Sequence, residues 1–150
     1  MDRSVLPMRP LRPAEIAELL ADDLVAHLAT IDASGYPHVT PIWFLWDRGA
    51  FRLTSFAERP HLHRIRANPR VGLVIDREAG LRPDGERPNR QIRVIGDARL
   101  AEDPNGMWTS RIREKYIDDR IAPGAAQRDL GRARMLITII PDRLLALAGR

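Results

Sequence analysis

Between Leu28 and Val71 the chain reads LATIDASGYPHVTPIWFLWDRGAFRLTSFAERPHLHRIRANPRV. Three alternating apolar segments are separated by Gly-bearing turns, and a short basic stretch follows them. Leu24–Ile31 is bounded by Asp32-Ala33-Ser34-Gly35 and predicts a strand ending in a tight turn. Tyr36–Trp46 predicts a second strand, and Asp47-Arg48-Gly49 a hairpin onto a third, Phe51–Phe56. In that third strand Phe51 and Leu53 alternate with Arg52 and Thr54. Pro60–Ala67 has the spacing of one or two helical turns, stopped at Asn68-Pro69 because proline disfavours helical backbone in the residue before it.

Further along, Val71–Ile75 is an apolar run of strand length. Arg77–Asn89, with six charged residues, two prolines and two glycines, predicts an exposed loop. Gln91–Leu100 predicts a fifth strand, with Ile92 and Val94 on one face and Gln91, Arg93 and Ile95 on the other. Asp103-Pro104 has the composition of a helix start. Trp108, Ile112 and Tyr116 follow as an i, i+4, i+8 stripe. Ala122–Arg132 predicts no definite element. Met135–Ile140 is the last strong strand, which Arg143–Ala148 extends beyond an interruption at Pro141. Ahead of all these, Pro13 suits a first helical turn and Ala14–Ala21 places Ile16, Leu19 and Leu20 on one face. Residues 1–12 are a Pro/Arg-rich, extended lead-in to a single domain over 13–150. Six strands, joined early by hairpins, predict a mainly β (α+β) fold, an antiparallel sheet closed into a small barrel with flanking helices. A doubly wound parallel sheet would need a helix after nearly every strand.

Composition narrows the function classes. The 150 residues are 44% hydrophobic and 29% charged, ordinary for a globular domain. No apolar run approaches the roughly 20 residues that span a bilayer, and the N-terminus lacks the apolar core of a signal peptide. A cytoplasmic location, with no membrane partner, is the expectation. The absence of cysteine removes disulfides, thiolate metal sites and cysteine nucleophiles. Net charge is +4, and since Lys115 is the single lysine among 24 cationic residues, the other 24 − 1 = 23 are arginines. Any phosphate clamp here must use guanidinium, imidazole, hydroxyl or backbone N–H groups. No aromatic interleaving or recognisable motif marks a nucleic-acid surface, so no nucleic-acid partner is expected.

Candidate chemistry clusters in the opening block. Pro37 and Pro41 cannot donate ladder hydrogen bonds, so the second strand is at an edge, bulged or interrupted. An interrupted strand exposes backbone groups that can bond the edge of a planar ring. Trp43 and Trp46 read first as packing aromatics. Thr54 and Ser55 offer hydroxyls just before a basic segment carrying Arg59, His61, His63, Arg64 and Arg66. With a helix N-terminus these groups make a phosphate cradle. The same charges are equally the solvated face of a helix that buries Leu62 and Ile65. His61 and His63, at i, i+2, diverge on a helix, and no third ligand stands at metal spacing. No Ser/His/Asp triad is present. Gln91 and Arg93 share a strand face and can reach an anion or ring heteroatom, or can be plain outer-face polarity.

LATIDASGYPHVTPIWF, the Thr54-Ser55 pair, IRANPRV and RQIRVIGDARL, in this order and spacing, resemble the pyridoxamine 5′-phosphate oxidase-like FMN-binding split-barrel family. The likeness covers roughly Ala14–Leu100, and the strand near Met135–Ile140 also fits. It implies a homodimer of six-stranded split barrels with flavin at the subunit interface, acting as an oxidoreductase on a small organic substrate. By resemblance, Pro41, Ile42 and Trp43 border the ring. Thr54, Ser55 and the segment with Arg59, His61 and Arg64 take the phosphate, and Gln91 reaches the flavin across the dimer. No side chain is assigned as an acid or base. Relatives commonly carry Arg-Lys on the phosphate helix where Pro60 and His61 stand here. That substitution admits FMN held by Arg59 or Arg64, a deazaflavin (coenzyme F-420) instead, or lost flavin binding; the separate alternative is a non-catalytic flavin- or haem-binding protein, for which His61 and His63 make haem conceivable. The C-terminal PDRLLALAGR lacks the Trp and Arg pattern used for vitamin B6 substrates.

Overall fold

The computed structural model describes residues 8–149, which form three α-helices and nine strand segments. The strands are β1 (Arg9–Pro10), β2 (Ala26–Ile31), β3 (Pro37–Ile42), β4 (Leu45–Asp47), β5 (Ala50–Phe56), β6 (Arg70–Glu78), β7 (Asn89–Glu102), β8 (Arg134–Ile139) and β9 (Arg143–Ala148). The helices are α1 (Pro13–Ala21), α2 (Pro60–Ala67) and α3 (Met107–Tyr116). All strand pairs are antiparallel.

Nine segments arise where six were expected, for physical reasons visible in the sequence. The second strand breaks at Trp43-Phe44, so that β3 pairs with β2 and β4 with β5. The last strand carries a bulge: Ala98 faces Ile139 and Ile95 faces Arg143, so Gly96-Asp97 oppose Ile140-Pro141-Asp142. Pro141 brings no N–H to a ladder, and one extra residue there lets β9 continue along β7. The two-residue β1 adds the ninth segment by pairing with β9, and Leu11 beside it is buried in the core.

The sheet follows the order β3-β2-β6-β7-β8-β5-β4. No hydrogen bonds join its two ends, so the expected closed barrel is an open ladder. Yet its end strands, β3 and β4, are consecutive in the chain. The sheet therefore curls on itself around Phe44, Phe51, Leu53, Leu73, Ile75 and Ile137, all fully buried. Alternation explains the inward set: Leu28, Leu73 and Val94 are cross-strand partners, as are Ala26, Ile75 and Ile92.

Turns follow their residues. Asp32 Oδ1 accepts the N–H groups of Ser34 and Tyr36, closing the β2–β3 turn. Arg48 and Gly49 both have positive φ (49° and 77°), as a two-residue hairpin requires. The expected loop over Arg77–Asn89 is shorter than predicted, because β6 and β7 pair out to Glu78 and Asn89. Asp103 does cap a helix, by accepting from the N–H groups of Trp108 and Thr109. Pro104, however, lies in a separate 3-10 turn, since Asn105 and Gly106 have positive φ and restart the helix at Met107. Ala122–Arg132 contains one 3-10 turn, Ala125–Gln127, that buries two alanines.

The outer sheet face carries an apolar row beside polar residues such as Gln91 and Arg93. Val39, Ala29, Gly72 and Ile95 are cross-strand partners in one row over four strands. Val39, Ile95, Leu145 and Val74 remain 64%, 53%, 44% and 36% exposed. No helix among the described residues is long and apolar enough to cross a membrane.

Candidate functional site

The break between β3 and β4 builds the first wall. Trp43 and Phe44 leave the ladder, and their backbone is held by α3. Phe44 N–H donates to Tyr116 Oη at 3.2 Å, and Lys115 Nζ donates to the Phe44 carbonyl at 3.1 Å. Tyr116 Oη donates in turn to the Leu24 carbonyl at 2.6 Å. The Trp43 ring stacks on Tyr116, 4.7 Å between centroids and 3° from parallel. Burial pushes Lys115 down to about 8, against a smaller opposing effect of Asp23, and pushes Tyr116 up to about 12. Trp46 turns the other way, edge-on to Phe51.

Against this wall lies a cleft of about 540 Å³. Pro41 and Ile42 end β3, Thr54 and Ser55 end β5, and Arg59, His61 and Arg64 come from the start of α2. Arg134, at the start of β8, completes it. A neighbouring cleft of about 410 Å³ shares Pro41, Ile42, Thr54 and Arg134 and adds Trp43, Thr109 and Arg113. Eight of the nine residues expected at the site thus line one or other of two adjoining clefts. Gln91 does not: it sits on the outer face of β7, accepting from Arg93 Nε at 2.6 Å. His63 is exposed, while His61 is buried.

The polar groups divide into spent and free. Arg64 Nε donates to the fully buried Thr30 hydroxyl at 2.7 Å, which fixes the guanidinium at the cleft rather than in solvent. The Thr109 hydroxyl has one proton and lies 2.6 Å from Asp103 Oδ2 and 2.9 Å from Thr54 Oγ1. The carboxylate takes that proton, so Thr54 donates to Thr109 and presents only lone pairs to the cleft. Ser55, with Thr40, is then left to offer a hydroxyl donor to an anion. The α2 N-terminus is also poorer than expected: Pro60 lacks an N–H, and Leu62 N–H donates to the Arg59 carbonyl.

Positive charge therefore comes from guanidinium groups. Desolvation, aided by Arg64 and Arg59, lowers the pKa of His61 and favours neutral imidazole. Its Nε2 is buried without a hydrogen-bond partner among the described residues. Arg134 lies 4.3 Å over the Phe56 ring, with Arg132 at 3.8 Å and Arg59 at 5.9 Å from the same ring. Arg132 is neutralised by Glu58 at 2.8 Å. Arg59, Arg64 and Arg134 have no ion pair among the described residues. Sequence reading missed Arg134, Thr109 and Arg113. Only the position of Arg134 directly before the last apolar strand hints at a site role, and arginine is too abundant here for that to stand out.

Residues 13–147 match the family described as pyridoxamine 5′-phosphate oxidase. The chain belongs to this family. Among solved structures similar to this chain, an F-420 reductase is 28% identical, with a TM-score of 0.62, over 85% of this chain and 93% of its own. An FAD-binding protein from Mesorhizobium loti is 22% identical, TM-score 0.66, over 95% and 99% of the two chains. The heme storage protein HutZ from Vibrio cholerae is 15% identical, TM-score 0.64, over 90% and 94%. The last two likenesses speak for the fold alone. Among curated proteins none matches the chain. The described residues contain no group of three or more His, Cys, Asp or Glu side chains able to hold a metal ion.

The donor set fits the phosphate-bearing flavin that this family implies. Three guanidinium groups without an ion pair among the described residues, and a serine hydroxyl, line one cleft beside an interrupted strand. That concentration of like charge is costly until an anion enters.

Proposed function

We propose that the protein is a flavin-dependent oxidoreductase, binding FMN, or a deazaflavin (coenzyme F-420) in its place, as a homodimer. The observation that carries this reading is the cleft with Arg59, Arg64 and Arg134 unpaired against Pro41–Ile42 and Ser55. When bound, the cofactor supplies hydride transfer to or from a small organic substrate. This chain's residues do the rest. Arg64, Arg59 and Ser55 would bind the phosphate, and the open edge of β3 at Pro41–Ile42, with Trp43 beyond its end, would border the ring. Gln91, on the outer face, serves the cleft of a second copy. The charge lost with Pro60 and His61 is restored by Arg64 and Arg134. The likeness to an F-420 reductase supports keeping the deazaflavin beside FMN.

Titrating the purified protein with FMN and with the deazaflavin tests this. Micromolar binding of one of them is expected, and Arg64→Ala should weaken it by about 1.5–3 kcal/mol, the scale of a charge-assisted hydrogen bond. Arg66→Ala, on the exposed side of the same helix, should leave it unchanged. A folded protein that binds neither compound refutes the reading. One observation favours a second reading, a non-catalytic haem binder: His61 is buried, biased to neutral and unpartnered at Nε2, as a metal-ligating imidazole would be. A Soret band on haem titration, lost in His61→Ala, would select it.

A further inference from the structure

Arg113, beside the phosphate cradle, has no assigned role, and Arg134 borders both clefts. Arg113, in the last turn of α3, and Arg134, at the start of β8, both line the smaller cleft with Trp43 and Thr109. Each has a buried Nε without a hydrogen-bond partner among the described residues. Arg113 makes one side-chain bond, from Nη2 to the Ala125 carbonyl at 2.9 Å. Neither is in an ion pair among the described residues, and the two are close enough to repel, with Arg132 adding to the repulsion. The nearby carboxylates are Asp129 and Asp103, and Asp103 is occupied by Thr109 and the start of α3. A buried guanidinium N–H left unpaired is costly, and two like charges at one cleft add to that cost. Stabilising such a pair takes an anion. Arg59, Arg64 and His61 line only the larger cleft, so an anion held there does not serve Arg113.

We propose that Arg113 and Arg134 form a second anion site, which takes a carboxylate or phosphate group of a small ligand lying along Ile42 and Trp43. The placement rests on the flavin reading only in supposing that the larger cleft takes the cofactor phosphate. The anion has two sources: a second acidic group on the cofactor, such as a diphosphate or phosphodiester tail, or an acidic substrate that binds separately.

Nε–H resonances of arginine in the ¹⁵N-labelled apo-protein read the two sites independently. Inorganic phosphate is the probe. Arg113 should shift on one isotherm and Arg64 on another, with apparent affinities that differ, while Arg134, which borders both clefts, should carry the Arg113 isotherm in its response. Arg64→Gln should abolish only its own isotherm. The proposal is overturned if Arg113 and Arg134 do not respond, or if they follow the Arg64 isotherm in wild type and vanish with it in Arg64→Gln. Cofactor titrations then separate the sources. If Arg113→Gln weakens FAD or the deazaflavin by about tenfold while sparing FMN, the anion belongs to the cofactor tail. If it spares all three, and FMN-loaded wild type still takes phosphate at Arg113, the anion belongs to a substrate. Phosphate at Arg113 and Arg134 in a protein that binds no flavin would uphold the second site while removing the redox reading.

Discussion

Lys115 shows how one side chain can hold the edge of a site. Its ammonium donates to the carbonyls of Leu20 and Phe44 and lies 3.6 Å over the Phe44 ring. Burial nevertheless lowers its pKa from 10.5 to about 8. Between these values the unfolded chain binds more protons at this position than the native one. Stability carried by Lys115 therefore rises as pH climbs from about 8 to 10.5, and below that window the charged form is fully penalised. Urea midpoints of wild type and Lys115→Met, compared from pH 7 to 10.5, isolate the residue from other titrating groups. Wild type should gain on the variant across the window. A constant difference would mean that the ammonium is well solvated. At the same scale, the cradle residues Thr54, Ser55, Arg59 and Arg64 were legible because hydroxyls and cations stand together at a strand-to-helix junction. Arg113 and Arg134 were not, because 23 arginines mask any two, and their proximity depends on a pairing of β5 with β8 that lies some eighty residues apart in sequence.

Among the elements, β7 has the most neighbours, for it pairs with β6 along one edge and with β9 and then β8 along the other. Gly96 marks the point where one partner gives way to the next. A Cβ there would sit 2.8 Å from the Ile140 carbonyl oxygen and 3.4 Å from Asp142 N. Backbone cannot yield as a flexible side chain does, so Gly96→Ala should cost about 1–3 kcal/mol of stability. Gly72→Ala, whose nearest neighbours are 3.7 Å or more away, should cost far less. Equal urea midpoints for the two variants would show that the bulge is free to move. Strands and helices were readable from period and punctuation: Asp-Ala-Ser-Gly and Asp-Arg-Gly each gave the turn expected of them. The break at Trp43-Phe44 was foreshadowed by Pro37 and Pro41. Its fastening by Lys115 and Tyr116 was not, since that contact joins residues about seventy positions apart.

For the whole molecule, the outer row of Val39, Ala29, Gly72 and Ile95 matters most. Apolar side chains spread over several strands are a signature of an interaction face. The homodimer proposed above would cover this face, which also carries Gln91. Sedimentation of the wild type should give a dimer, and Ile95→Asp a monomer that stays folded. A wild-type monomer at micromolar concentration would end that proposal. It would also leave Gln91 without a cofactor to reach.

The open ladder has one more implication. Where its two ends meet, no cross-strand bonds knit the chain among the described residues, and the Lys115 amine and Tyr116 phenol, both borne on α3, clasp the join. Both clefts adjoin that clasp through Ile42. Because that clasp is made of side chains, loosening it would disturb the wall of the clefts without unzipping any pair of strands.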